Sequence, residues 1–424
     1  MTVTVWPGRF AGNLTAIASK SHLHRLLICA ALSESETTLI CGETEALDIK
    51  ATIACLSALG ARIERKQEGF AVMPIDRSRL PKTCVLPCME SGSTLRFMLP
   101  VVCALGVSGA FLMEGRLSER PLAPLDAELS RNGIELFKPK PDILCCKGKL
   151  RPAHYTLPGN VSSQYISGLL MALPLLDFDS VLHIEEPIES EGYIDMTLEA
   201  NAAFKQQAEP DDGDFIIRGG RIFESPGTIV VEGDWSNGAF WLCAGAMPGG
   251  AVRLNGLNKK SSQGDREICD ILGAIGANIS CENGVFSASE AERRAVEIDA
   301  RAIPDLIPVL SAVAAVGDGT TFVRNAGRLR LKESDRLLTT AQLLNTLGAK
   351  VVQEQDGLRI DGVKRLTGGV VDACGDHRIA MTAAVASAAC STPVVITGAQ
   401  AVNKSYPQFW EKLKVLGKKV EIEC

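Results

Sequence analysis

The sequence predicts an α/β (α+β) fold made of six copies of one unit of about 70 residues, and two recurring patterns lead to it. The first is a helical run that ends in Leu-Gly or an equivalent pair and passes into β-alternation. It occurs as Ala58-Leu59-Gly60-Ala61-Arg62-Ile63, Arg131-Asn132-Gly133-Ile134-Glu135-Leu136, Ala274-Ile275-Gly276-Ala277-Asn278-Ile279, Thr346-Leu347-Gly348-Ala349-Lys350-Val351 and Val415-Leu416-Gly417-Lys418-Lys419-Val420. Each glycine fits a helix C′ position, where left-handed backbone is free of a Cβ penalty. These glycines lie 73, 143, 72 and 69 residues apart, and a copy without Gly near Phe204-Lys205-Gln206-Gln207 halves the long interval. The second pattern is a helix opening after a small polar cluster in each unit. The clusters are Ser19-Lys20-Ser21, Ser91-Gly92-Ser93-Thr94, Ser162-Ser163-Gln164, Gly233-Asp234-Trp235-Ser236, Asp335-Arg336 and Asp376-His377-Arg378. Helix N-termini offer free N–H groups and the positive dipole end, so they attract anions, and here basic residues recur beside them.

Composition narrows the function. At about 150 residues per domain, 424 residues make two to three domains. With 46% hydrophobic and 22% charged residues, disorder is excluded as the main state. Lys and Arg number 44 against 50 Asp and Glu, a net charge of −6, and only 4 Trp, 4 Tyr and 13 Phe are present. Neither a basic nucleic-acid surface nor a base-stacking platform is expected. The 14 cysteines scatter through apolar stretches, as at Cys29, Cys55, Cys103, Cys243, Cys269 and Cys390, with one adjacent pair, Cys145-Cys146, and no C-x-x-C. They read as small core residues of a reducing compartment, and no His/Cys/Asp cluster has metal-ligand spacing. Residues 1–10 show no secretory pattern. The uncharged run 97–113 contains Pro100, Gly106 and Gly109, and reads as a buried helix followed by a strand, not a membrane span. The expected location is the cytoplasm.

The chemistry concentrates in a few motifs. Ser19-Lys20-Ser21-His22-Leu23-His24-Arg25 precedes an apolar helix at 26–32. Ser21 and Arg25 share a helix face, and with Lys20 they form either a compact phosphate or carboxylate site or a capped, solvated helix start. In Glu90-Ser91-Gly92-Ser93-Thr94-Leu95-Arg96, Gly92 lets the backbone approach a ligand, and Ser93 and Thr94 can cap the helix that follows. Glu119-Arg120-Pro121 ends a strand that starts near Ala110. In Leu331-Lys332-Glu333-Ser334-Asp335-Arg336-Leu337, Lys332 and Arg336 fall on one helical face if the helix has begun. They repel there by a few tenths of a kcal/mol unless they share an anion. Glu333 is a titratable group beside fixed positive charge. Asp376-His377-Arg378 opens a close-packed helix at 379–389 and must face something polar. Asn403-Lys404-Ser405-Tyr406-Pro407 adds a cation after the strand Val394-Val395-Ile396. Asp305, in Ala302-Ile303-Pro304-Asp305, is a helix cap or a functional acid ahead of the apolar helix at 306–316.

This set resembles the EPSP synthase family, the 3-phosphoshikimate 1-carboxyvinyltransferases. The resemblance runs in family order through Lys20-Ser21-x-x-x-Arg25, Ser91-Gly92-Ser93, Glu119-Arg120-Pro121, Val161-Ser162-Ser163-Gln164, Pro304-Asp305, Lys332 to Leu337, Asp376-His377-Arg378 and Lys404-Ser405-Tyr406-Pro407. It implies a two-domain inside-out α/β barrel, each domain of three βαβαββ units, joined by two crossover strands and closing on substrate. The expected domains are 16–229, and 1–15 with 230–424. The implied reaction moves the enolpyruvyl group of phosphoenolpyruvate to the 5-hydroxyl of shikimate 3-phosphate, by addition and elimination in an interdomain cleft, without cofactor or metal. Dispersed cations of the two halves are expected to converge there on the two anions.

By the same resemblance, Lys20, Gly92, Arg120, Gln164, Arg336, Arg378 and Lys404 bind phosphoenolpyruvate. Lys20, Ser21, Arg25, Ser162, Ser163, Gln164, Ser190, Tyr193, Asp305 and Lys332 hold shikimate 3-phosphate, with Ser190 and Tyr193 placed by Glu189-Ser190-Glu191-Gly192-Tyr193-Ile194-Asp195. Asp305, Glu333 and Lys20 are the implied proton-transfer groups. A monomer with small-molecule substrates, and neither nucleic-acid nor membrane partners, is expected. The chain departs from the family pattern at Ile17-Ala18, Glu90, Phe97 and Arg328, positions that bear on response to the herbicide glyphosate more than on the reaction. The alternatives are the sister enolpyruvyltransferase acting on UDP-N-acetylglucosamine, against which Lys20-Ser21 in place of Lys-Asn argues, and a non-catalytic anion-binding relative.

Overall fold

Six sheets of four strands each account for all the strands of the computed structural model. It describes residues 1–42 and 44–423; Cys424, the last residue of the second expected domain, lies outside them. The chain forms two compact units, Met1–Ile17 with Glu232–Cys424, and Ala18–Val231. Each border falls two residues beyond the expected one. Ala16 still donates its N–H to Asn255 O at 2.8 Å in the first unit, and Val231 donates to Ile40 O at 2.8 Å in the second.

Every sheet follows one plan. Two neighbouring strands run parallel, a third pairs antiparallel with one of them, and a fourth pairs antiparallel with the third. In the sheet of Thr83–Met89, Ser108–Met113, Ile134–Lys140 and Ile143–Gly148, Leu86 lies opposite Phe111 in the parallel pair, and Phe111 opposite Leu144 in the antiparallel one. Each unit adds two helices. These are α1 (Lys20–Ala31) with α2 (Leu47–Ala58), α3 (Gly92–Leu105) with α4 (Leu125–Arg131), α5 (Ser163–Ala172) with α6 (Glu191–Ala203), α7 (Trp235–Ala246) with α8 (Ile268–Ile275), α9 (Ile307–Ala314) with α10 (Arg336–Thr346), and α11 (His377–Ala386) with α12 (Phe409–Val415).

The first helix of a pair is the inner one. Every residue of α9 and α11 is buried, and all of α7 but Ser236. Helices apolar on all sides have no solvent face to offer, so they take the centre and the sheets form the outer layer. The helices α7, α9 and α11 pack on one another in one unit, and α3 packs on α5 in the other. The uncharged run at 97–113 divides between α3 and the strand Ser108–Met113, with Gly106 at φ +69° between them. No helix among the described residues is long and apolar enough to cross a membrane.

Three strands close sheets far from them in sequence. Thr228–Val230 pairs in parallel with Thr37–Ile40. Ala11–Thr15 pairs in parallel with Ala251–Asn255. Thr2–Val5 lies antiparallel between Val394–Thr397 and Val420–Glu423. The sixfold plan is therefore complete only when the N-terminal residues join the C-terminal half.

The glycine pattern has its backbone explanation. Gly60, Gly133, Gly276, Gly348 and Gly417 all have positive φ, between 84° and 107°. At the copy that lacks Gly, Lys205 adopts φ +61° itself. Its turn closes like that of Gly60: Gln206 N–H reaches Asn201 O at 2.9 Å, as Ala61 N–H reaches Leu56 O at 3.1 Å. A left-handed residue with a Cβ costs about 1–2 kcal/mol, partly offset in a glycine variant by unfolded-chain entropy. Lys205 is exposed, and a Cβ at Gly60 meets nothing within 4 Å. Lys205→Gly is expected to stabilise its unit by roughly 0.5–1 kcal/mol and Gly60→Ala to destabilise it by about 1 kcal/mol or more. Urea melts of the two variants, read against the parent, check the opposite signs.

Candidate active site

In the unit that contains both chain ends, the centre of the charged cluster is Arg336, the first residue of α10 and 1% exposed. Three carboxylates surround its guanidinium. Nη1 meets Asp305 Oδ1 at 2.6 Å, Nη2 meets Glu333 Oε2 at 2.7 Å, and Nε meets Asp376 Oδ2 at 2.7 Å. Arg378 Nη2 lies 3.2 Å from Asp305 Oδ2, and its Nη1 donates to Asp305 O at 3.1 Å. Lys332 Nζ is 4.0 Å from Asp305 Oδ1, and Lys404 Nζ is 4.0 Å from Glu333 Oε1. Six of the expected residues, Asp305, Lys332, Glu333, Arg336, Arg378 and Lys404, are thus brought together.

Local sequence explains the placement and decides two readings that spacing left open. The helix begins only at Arg336, because Asp335 caps it by accepting Leu338 N–H at 3.1 Å. Lys332 precedes it in extended backbone, after the 3-10 turn Gly327–Leu331, so it shares no helical face with Arg336. The anion the two cations share is Asp305. That residue is not a helix cap: Leu306 occupies the N-cap of α9 and makes no side-chain bond there. Asp305 is turned instead to the cations. The polar cluster of this unit also opens the second helix, α10, not the first. Asp376, quoted in a motif but not assigned a role, caps α11 through Arg378 N–H at 2.9 Å while pairing with Arg336.

The charges set one another. Burial opposes ionisation of Asp305, but Arg378, Lys332 and Arg336 outweigh it and hold the carboxyl well below the usual carboxylate range. Burial also opposes the Arg336 charge, and Asp376, Glu333 and Asp305 more than restore it. Burial lowers Lys332 to about 8; Asp305 resists, and Arg328 and Arg336 add to the fall. Asp265, in the turn Gly264–Glu267, is a group the sequence did not flag. It is buried, accepts the Ser236 hydroxyl on Oδ2, and has no hydrogen-bond partner on Oδ1. Burial, then the charge of Asp305, pushes it up to about 7.

In the other unit the expected residues gather at helix starts. Ser19 caps α1, and Lys20 Nζ pairs with Asp48 Oδ2 at 2.7 Å. One turn on, Arg25 donates Nη1–H to Ser21 O at 2.7 Å and Nη2–H to Tyr193 O at 2.9 Å. Ser190, at φ +56°, precedes α6, on which Tyr193 sits. Ser162 caps α5 and accepts Gln164 N–H at 3.3 Å, Ser163 begins the helix, and Gln164 Nε2 donates to Ser93 Oγ at 3.0 Å.

Two corrections fall here. Ser91, not Ser93 or Thr94, caps α3; it accepts Thr94 N–H at 3.2 Å, and the Thr94 hydroxyl also donates to it at 2.7 Å. Arg120 does not end a strand. The strand stops at Met113, and the 3-10 turn Gly115–Glu119 carries the chain to Arg120. There its guanidinium crowds Gly92: a Cβ on that glycine would lie 2.6 Å from Arg120 Nη1 and 2.5 Å from Arg96 Nη1. Arg96 and Asp48 were not foreseen in any role. Arg96 stood in a quoted motif, but nothing in the spacing relates Asp48 to Lys20, 28 residues away.

Comparison with known proteins identifies the family. The family model described as EPSP synthase (3-phosphoshikimate 1-carboxyvinyltransferase) matches residues 6–413. A 3-phosphoshikimate 1-carboxyvinyltransferase of Clostridium beijerinckii is 41% identical, over 97% of this chain and 97% of its own. One of Clostridium acetobutylicum is 42% identical, over 98% of this chain and 97% of its own. The solved EPSP synthase of Acinetobacter baumannii superposes with a TM-score of 0.82 at 24% identity, covering 99% of this chain and 100% of that one, and so shares the fold. With a family match across nearly the whole length and relatives above 40% identity, the chain belongs to the EPSP synthase family.

Proposed function

We propose that this chain transfers the enolpyruvyl group of phosphoenolpyruvate to the 5-hydroxyl of shikimate 3-phosphate, releasing phosphate, on the route to chorismate and the aromatic amino acids. Family membership supports the reaction. The observation that carries its mechanism is the pair of carboxylates, Asp305 and Glu333, held on one guanidinium at 2.6 and 2.7 Å among further cations.

Two anionic substrates repel each other unless positive charge is fixed beforehand. Lys20, Arg120, Arg336, Arg378 and Lys404 supply it to phosphoenolpyruvate, with Gly92 and Gln164 beside them. Lys20, Ser21, Arg25, Ser162, Ser163, Gln164, Ser190, Tyr193, Asp305 and Lys332 hold shikimate 3-phosphate. In the addition step C3 of phosphoenolpyruvate gains a proton, and the 5-hydroxyl oxygen, losing its own, bonds to C2. In the elimination step the C2–O bond to phosphate breaks and C3 returns a proton. Asp305, ionised by its cations, accepts the 5-hydroxyl proton. Glu333, with Lys20, carries the proton to and from C3. The cluster of Asp305, Glu333 and Arg336 supports a mode of entry in which an incoming anion competes with carboxylates for the same guanidinium. The chain acts as a monomer in the cytoplasm. Every group named comes from one chain, and the thirteen described cysteines are free thiols, eight of them buried.

Phosphate release from phosphoenolpyruvate, measured in parallel with shikimate 3-phosphate and with UDP-N-acetylglucosamine, tests the reading. Turnover with the first alone is expected; turnover with the second alone overturns it. Glu333→Gln and Asp305→Asn should each lower kcat by about 10²–10⁴-fold, the range of a lost acid–base group; Asp305→Asn should also lower the melting transition, because Arg336, Arg378 and Lys332 lose the anion they share. For Lys332, an anion favours the protonated ammonium, which in the free protein is lost near pH 8. Affinity for shikimate 3-phosphate should therefore weaken as pH rises through about 8. Lys332→Arg, whose guanidinium stays charged, should abolish that alkaline limb in calorimetric titrations.

A further inference from the structure

Arg25 is a buried cation without an acid beside it. It is 2% exposed, and among the described residues it makes no ion pair. Its donors go to neutral oxygens: Nε to Thr197 Oγ1 at 2.7 Å, Nη1 to Ser21 O at 2.7 Å, and Nη2 to Tyr193 O at 2.9 Å and Ser167 Oγ at 3.2 Å. Arg336, as deeply buried, has three carboxylates instead. A buried charge with no counter-charge is costly, and neutral acceptors recover only part of the lost hydration. Burial accordingly lowers the Arg25 guanidinium to about 10.

The remaining support comes from aromatic faces, the nearer that of Phe97 and the farther that of Tyr193, whose ring centroid is 6.0 Å from Arg25 Cζ. Phe97, on the second turn of α3, is 1% exposed, and Arg25 Cζ stands 4.9 Å from its ring centroid. That lies inside the distance of roughly 6 Å at which the negative face of an aromatic quadrupole attracts a cation. The Phe97 ring is itself fixed by His24, perpendicular to it at 83° with centroids 6.3 Å apart. Burial keeps His24 neutral, lowering it to about 3, so it adds no competing charge. A ring attracts a guanidinium without discharging it, whereas a carboxylate at the same place would cancel the field an anionic ligand meets.

We propose that Phe97 is a positioning residue for shikimate 3-phosphate: its ring face holds the Arg25 guanidinium where a carboxylate would otherwise be needed, leaving the full positive charge for the substrate anion. The inference rests on the reaction proposed above and concerns the affinity for one substrate, not the chemical step.

The test replaces Phe97 with 4-fluoro-, 3,4-difluoro- and 3,4,5-trifluorophenylalanine, which drain the ring face of negative potential at nearly constant volume, and with leucine. The dissociation constant for shikimate 3-phosphate is measured by calorimetry, with kcat and KM for phosphoenolpyruvate alongside. The expected result is a stepwise rise in that constant with each fluorine, up to about thirtyfold for a desolvated contact, while kcat and KM for phosphoenolpyruvate hold. Phe97→Leu should bind no better than the trifluoro protein. If the leucine variant does not fold, the fluorinated series decides alone. A flat series, or a rise shared equally by kcat and KM for phosphoenolpyruvate, overturns the inference. A parent protein that binds no shikimate 3-phosphate overturns the underlying reading, and this inference with it.

Discussion

Several cations can be held close together only if negative charge is held among them. Two like charges 4 Å apart repel by about 4 kcal/mol at the effective dielectric of a protein surface, more than a handful of van der Waals contacts returns. Asp305 meets this constraint by taking Arg336 at 2.6 Å, Arg378 at 3.2 Å and Lys332 at 4.0 Å on one carboxylate. Glu333 and Asp376 complete the shell around Arg336. The same arrangement that lets the cations coexist holds the two carboxylates proposed above for proton transfer on one guanidinium. Structural neutralisation and acid–base chemistry are one feature here, not two.

The other unit handles positive charge differently. Lys20 is matched by Asp48 at 2.7 Å, but Arg25 is surrounded by hydroxyls, carbonyls and an aromatic ring. Buried ion pairs lose strength to one another when an external anion arrives, because each carboxylate already claims part of the field. A guanidinium held by neutral groups retains its field. The two devices differ: most of these cations come with their own carboxylates, and Arg25 is held by neutral groups.

The fold makes both possible. Inner helices apolar on every side must be enclosed, so the sheets go outside and the helix N-termini are what the interior architecture presents with free N–H groups. Ser19, Ser91, Ser162, Asp335 and Asp376 satisfy those groups; Lys20 and Arg336 follow directly on their caps, and Arg378 comes one residue later. The capping residue therefore does more than stop a helix from fraying: it fixes the direction in which the next side chain leaves the backbone.

Local order was legible in the amino-acid sequence because it is enforced over a few residues at a time. The C′ glycines, the polar helix starts and even the glycine-less turn at Lys205 answer to backbone geometry within one turn, and the repeat they mark fixed the count of six units. The motif set likewise placed Asp305, Glu333 and Arg336 in one functional group. What spacing misjudged were the handovers between elements: the start of α10 at Arg336 and not at Lys332, the 3-10 turn before Arg120, and Ser91 as the cap of α3. Each is a competition among several polar residues that local propensity ranks too closely. Only the tertiary structure decided which carboxylate meets which cation, that Asp48 belongs to Lys20, and that Phe97 lies under Arg25. Apart from Glu333, three residues before Arg336, those partners come from segments far apart in the chain, and a charge or a ring acts through distance in space, which residue number does not record.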